Sequence, residues 1–200
     1  AYKRRLAGFT DDEFYGNGAY PAISNDGFHY VVGETNDDET GKYPDDMSNS
    51  DDILITKLDT NGEIIWIKSF GTDSSSEAGY SIEIDTNGSL YVGGITNGNL
   101  NGAQNNGDYD VFLMKLDSEG NEIWTKLYGS DGYESGGFKI REDGYIYLSG
   151  TTDGNVNGIQ NNGDGDAWFM KLDSDGEEIW TKLFGSENED ALHHFEFYNV

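Results

Sequence analysis

The sequence predicts an all-β chain of β-propeller blades, each of four antiparallel strands and about 57 residues, on three observations. The first is an internal repeat. Asp110-Val-Phe-Leu-Met-Lys-Leu-Asp117 is matched by Asp166-Ala-Trp-Phe-Met-Lys-Leu-Asp173 and, more weakly, by Asp52-Ile-Leu-Ile-Thr-Lys-Leu-Asp59. Lys57, Lys115 and Lys171 lie 58 and 56 residues apart, and Trp66, Trp124, Trp180 and Gly71, Gly129, Gly185 keep the same spacings. The second observation is alternation of apolar and polar residues broken by Asx-Gly turns, with no segment of helical period. The third is composition: 28 Gly against 2 Pro points to many tight turns, and 13 Tyr, 10 Phe and 4 Trp supply core area that an acidic disordered chain lacks.

Within one unit the elements follow in order. Tyr80-Ser-Ile-Glu-Ile84 alternates and ends in the turn Asp85-Thr-Asn-Gly88, the strongest short hairpin signal. Leu90-Tyr-Val-Gly-Gly-Ile95 is the second strand, and a polar loop leads to the third, residues 111–116. A turn at Asp117-Ser-Glu-Gly120 returns the chain as Glu122-Ile-Trp-Thr-Lys-Leu-Tyr128. Four short strands cannot cover both faces of their own sheet, so successive sheets must stack, the logic of a propeller blade. A sandwich or solenoid is the competing architecture, although a solenoid coil is usually shorter. Gly93, Gly94 and Gly150 suit the crowded inner region where sheets converge.

The expected division is three blades at 9–71, 72–129 and 130–185, flanked by an outer strand at 1–8 and an inner strand at 186–200. Lys3-Arg-Arg-Leu-Ala-Gly8 occupies the register of Trp180-Thr-Lys-Leu-Phe-Gly185, and Ala191-Leu-His-His-Phe-Glu-Phe197 that of Ala78-Gly-Tyr-Ser-Ile-Glu-Ile84. Two readings of these ends stand: part of a longer ring, or edges that pair with other copies and build a filament by strand exchange.

The order Tyr91-Val-Gly-Gly-Ile-Thr96, Asn/Gly-rich loop, Asp110-Val-Phe-Leu-Met-Lys-Leu-Asp117, Gly120-Asn-Glu-Ile-Trp124, Gly129 resembles SBBP-type bacterial β-propeller repeats. The next unit resembles them equally, through Tyr147-Leu-Ser-Gly-Thr-Thr152, Lys171-Leu-Asp173, Gly176 and Trp180. The resemblance covers roughly residues 9–200 and implies a secreted or surface-anchored propeller, with no single activity attached. The first unit departs from it in a longer loop, residues 36–51, carrying Lys42-Tyr-Pro44.

A formal charge of −26, from 38 acidic and 12 basic residues, argues against nucleic acid and anionic membrane surfaces as partners. The acidity serves solubility, a salty habitat or calcium. No cysteine is present, no run reaches the length of a membrane span, and no leader is recognisable ahead of Ala1. The expected location is extracellular or cell-surface.

The candidate ion ligands lie in two matched loops, 96–110 and 152–166. Asp108, Asp110, Asp164 and Asp166 are the charged calcium ligands, with Asn105, Asn106, Asn161 and Asn162 in support; the bland alternative is Asx side chains capping turns. The Asp-x-x-Gly segments at 59–62, 117–120 and 173–176 read as hairpin turns instead. The three tryptophans read as packing between blades rather than sugar platforms, and the three lysines as solvent-face or edge charges. His29, His193 and His194 form no chelating or nucleophilic set, and no phosphate loop or nucleophile elbow occurs, so no enzyme is expected. The expected role is a structural or adhesive module whose partners are other copies, neighbouring surface proteins or glycans.

Overall fold

Alternating apolar residues between turn signals form twelve strands and no helix among the described residues of the computed structural model, which are 21–35, 51–72, 74–192 and 195. The expectations for residues 1–8, for most of the 36–51 loop, for His193 and His194, and for most of the strand at 191–197 lie outside them. The strands are β1 (Ala22–Ile23), β2 (His29–Thr35), β3 (Asp52–Leu58), β4 (Ile64–Phe70), β5 (Glu77–Ile84), β6 (Leu90–Thr96), β7 (Asp110–Leu116), β8 (Glu122–Tyr128), β9 (Glu134–Ile140), β10 (Ile146–Thr152), β11 (Asp166–Leu172) and β12 (Glu178–Phe184). They make three four-stranded antiparallel sheets in sequence order, β1 to β4, β5 to β8 and β9 to β12. The registers repeat: Tyr91 pairs with Lys115 and Lys115 with Trp124, as Tyr147 pairs with Lys171 and Lys171 with Trp180.

The Asp-x-x-Gly segments are turns, as their position between strands predicts. Asp117 Oδ1 accepts from the amides of Glu119 and Asn121, each at 2.9 Å, and Asp59 and Asp173 repeat the arrangement. Backbone donors, that of Asn121 foremost, hold the exposed Asp117 carboxyl below its ordinary range; the Glu63 amide does the same for Asp59. Each turn closes through a glycine in the left-handed region, with φ of 83° at Gly62, 72° at Gly120 and 74° at Gly176.

Period two decides which way each residue faces, and both faces of the middle sheet are covered. Leu90, Val92, Phe112, Met114 and Leu116 join Tyr30, Ile53 and Ile55 in a core between the first and second sheets. Their alternates Tyr91, Ile95, Val111 and Leu113 join Phe138, Ile146, Leu148, Trp168 and Met170 in a core between the second and third. Gly93 sits where the sheets converge: a Cβ there would lie 2.6 Å from the Phe138 ring of the next sheet.

Candidate functional site

The residues that repeat most faithfully converge on the joints between sheets. In the first joint the turn at 117–120 of the second sheet sits in a socket made by Tyr30, Lys57 and Trp66 of the first. Lys57 Nζ donates to the Ser118 carbonyl at 2.9 Å and pairs with Glu119 at 3.3 Å, and the Tyr30 hydroxyl donates to the same carbonyl at 3.4 Å. Gly120 lies flat on Trp66, where a Cβ would meet the indole at 2.9 Å. The second joint repeats this. Lys115 Nζ and the Tyr91 hydroxyl donate to the Ser174 carbonyl at 3.3 and 3.4 Å, and Gly176 lies over Trp124. The lysine was expected on a solvent face or salt-bridged at the blade edge; Lys57 has the ion pair, with Glu119, but is 5% exposed rather than on a solvent face. Burial pulls its ammonium down, but the hydrogen bonds to Tyr30 and Glu119 carry it above its ordinary value. Trp66 and Trp124 are packing residues between sheets, as their fixed position predicts.

At the other side of each joint two buried acids meet. Asp110, at the start of β7, and Glu134, at the start of β9, have no exposed surface. Glu134 accepts from the Ser130 amide at 2.7 Å and from the Ser130 and Thr152 hydroxyls, each at 2.5 Å. Asp110 Oδ2 accepts from the backbone and side-chain N–H groups of Asn106 at 3.0 and 3.3 Å, while its Oδ1 has no hydrogen-bond partner. A Cβ on Gly129 would lie 2.2 Å from Asp110 Oδ1 and 2.5 Å from Glu134 Oε2, so both carboxylates crowd one backbone position. Burial pushes the Asp110 carboxyl up to about 6, the negative charge of Glu134 adding to the rise and the Asn106 N–H opposing it. Asp52 and Glu77 repeat the convergence at Gly71, and Glu77 accepts from Ser75 and Thr96 hydroxyls at 2.6 and 2.9 Å.

Of the sequence-predicted ion ligands, Asp110 comes together with Asn106, and Asp166 with Asn162, through matching hydrogen bonds. Asp108 and Asp164 sit exposed at the loop surface. The amides are spent on the loops themselves. Asn105 accepts from the Gly107 amide at 2.9 Å and donates to the Thr96 carbonyl at 3.0 Å, and Asn161 does the same toward Gly163 and Thr152. No group of three or more histidine, aspartate or glutamate side chains is placed to hold a metal among the described residues. Two residues escaped the sequence reading. Leu100 and Val156, isolated among asparagines, are 0% and 2% exposed and plug the two cores. Each precedes an Asn-Gly pair with positive φ at both residues, so the loop turns back on itself and drives the aliphatic side chain before the pair inward, while Ile159 beyond it stays exposed.

Fold and joints together define an all-β repeat protein of stacked four-stranded antiparallel sheets. No protein-family model matches the chain. The chain is similar to the regulatory protein FlaEY of Caulobacter vibrioides, with 26% identity over 187 residues, covering 84% of this chain and 19% of that protein. It thus spans about a fifth of the length of that relative.

Proposed function

We propose that this chain is a non-enzymatic, extracellular β-propeller module with a structural or adhesive role, its three sheets serving as successive blades of the SBBP type. The observation that carries the reading is the use of the repeated tyrosine, lysine, tryptophan and paired acids in two joints of one design. A repeat invested in stacking suits a scaffold that presents its loops, here the asparagine-rich segments around Asn101 and Asn157, to glycans or to neighbouring surface proteins. Turnover and binding measured on one polysaccharide panel test it: saturable binding without product supports the module, and release of reducing ends overturns it.

Calcium belongs to this proposal on one observation, the partnerless buried Oδ1 of Asp110 and of Asp166. The expected result is a rise in melting temperature at pH 7.5 on adding calcium, reduced in Asp110→Asn and abolished when Asp166→Asn is added to it. Identical melting with calcium and with chelator would remove the ion from the reading.

A further inference from the structure

Asparagine followed by glycine recurs along the described residues, and one such pair differs from the others. Asn61 gives its side-chain amide to Asp59, Asn97 to Tyr109, Asn101 to Thr125, Asn106 to Asp110, Asn157 to Thr181 and Asn162 to Asp166. Asn87 is exposed at the tip of the β5–β6 hairpin, and its side-chain amide makes no hydrogen bond among the described residues. The turn holds without it. Asp85 Oδ1 accepts from the backbone amides of Asn87 at 2.8 Å and Ser89 at 2.9 Å, and the Gly88 amide donates to the Asp85 carbonyl at 3.0 Å. Gly88 has nothing within 4 Å of its Cβ position.

The same turn is where the repeat breaks. The residue after the turn glycine is Phe28 in the first sheet and Tyr145 in the third, and each ring lies under a lysine ammonium, Lys57 at 4.7 Å and Lys171 at 3.6 Å. In the middle sheet that residue is Ser89, whose hydroxyl also makes no hydrogen bond among the described residues, and Lys115 is left half-exposed. At the position of Asn87 the other two turns carry Asp26 and Asp143. The two departures fall together and create Asn87-Gly88-Ser89, the one Asn-x-Ser/Thr triplet in the 200 residues.

From the triplet and its free amide we infer that Asn87 is an acceptor for N-linked glycosylation, the co-substrate being an oligosaccharide activated on a lipid diphosphate. The inference rests on the extracellular location proposed above, since this transfer is made to exported chains. Asn87 Nδ2 bonds to C1 of the first sugar as the bond from C1 to the diphosphate oxygen breaks. The amide proton passes to a base of the transferase, and the lipid diphosphate leaves. Asn87 supplies the exposed amide and Ser89 the hydroxyl that the transferase reads. Turn 85–88 and the asparagine-rich loop after Thr96 lie at opposite ends of β6, a strand of 7 residues, which separates them by roughly 20 Å. The glycan thus covers one end of the middle sheet and leaves the loops at the other end open to partners.

The test imposes export, so its outcome does not depend on where the chain resides in its own cell. The 200-residue chain, behind a cleavable export leader, is produced in a host carrying an oligosaccharyltransferase and its lipid-diphosphate-linked oligosaccharide, and intact mass is read on the purified product. Wild type should gain the mass of one glycan. Asn87→Gln and Ser89→Ala should each lose that mass while melting like the unmodified wild type, and Ser89→Thr should keep it. Asn61→Gln, in the identical Asp-Thr-Asn-Gly turn followed by Glu63, should leave it unchanged. A wild-type chain without added mass, in a host that modifies a control acceptor, would overturn the inference. Added mass that survives Asn87→Gln would overturn it too. Fractionation of the producing cells tests the location by itself: an intracellular chain would overturn that reading and not the acceptor chemistry.

Discussion

The first and second joints share one frame and fill it with different polar chemistry. In the first, the lysine carries the load: Lys57 is buried, reaches the Ser118 carbonyl at 2.9 Å and closes an ion pair with Glu119. In the second, Lys115 is half-exposed and its contact to Ser174 is longer, 3.3 Å. The polar load moves to the end of the outer strand, where the buried Tyr128 hydroxyl donates to the Gly176 carbonyl at 2.8 Å and Lys126 pairs with Glu177. Phe70 occupies the place of Tyr128 in the first joint, without a hydroxyl, and Asn121 the place of Glu177. The comparison teaches that backbone register and aromatic packing are held constant, while the hydrogen bonds that seal a joint are free to migrate along it.

The sharpest way to break the comparison is through the cores. Phe112 has no exposed surface and packs only on the first-joint side of the middle sheet. Phe112→Ala should cost about 3–5 kcal/mol in denaturant unfolding. Protection in hydrogen exchange should fall first in β2 and β3, while β10 and β11 keep theirs. Uniform loss across all three sheets would show that the joints do not yield separately.

The second effect is pH, and it singles out the second joint. Asp110 ionises at about 6 in the folded chain, above the ordinary 3.8. Its protonated form is therefore favoured by folding: the contribution is complete below pH 4, and is lost as pH rises through 6. Lowering the pH from 7.5 to 5 without calcium should stabilise the joint, up to about 3 kcal/mol across the full titration of Asp110. The neutral amide of Asp110→Asn should flatten that dependence. A profile unchanged by the substitution would move the titration to another group.

The amphipathic pattern, the Asx-Gly turns and the three repeated markers made the strands and their turns legible. The first two signals are local, each contained in about ten residues, and the markers show themselves by recurring at a fixed spacing. The joints were not legible for the converse reason. Lys57 finds Ser118 sixty-one residues away, and Asp110 finds Glu134 in the next sheet, with no motif linking the partners. Asp110 and Asn106 read as candidate calcium ligands and come together as a hydrogen-bonded pair; oxygen-rich composition does not say whether an amide presents its carbonyl to an ion or its N–H to a carboxylate. Leu100 and Val156 stayed hidden because a lone aliphatic side chain between two asparagines has no period to reveal it.

The smallest of these effects separates the two lysines. Lys57→Met removes a charge-assisted hydrogen bond in a buried setting and should cost about 1.5–3 kcal/mol. Lys115→Met, at a longer and wetter contact, should cost about 0.5–1.5 kcal/mol. Equal costs in chemical denaturation would mean that the 3.3 Å contact is as strong as the 2.9 Å one.

Joints of one design in series also have a mechanical meaning. Pulled from its two ends, such a stack resists as links in a chain do, and it yields link by link rather than all at once. A released unit of about 57 residues pays out on the order of 190 Å of extended chain, so a force trace would show teeth of nearly equal spacing. Their heights would rank the joints. A protein anchored at one end and loaded at the other would thus absorb a sudden tug by lengthening in measured steps, while its remaining sheets stay folded.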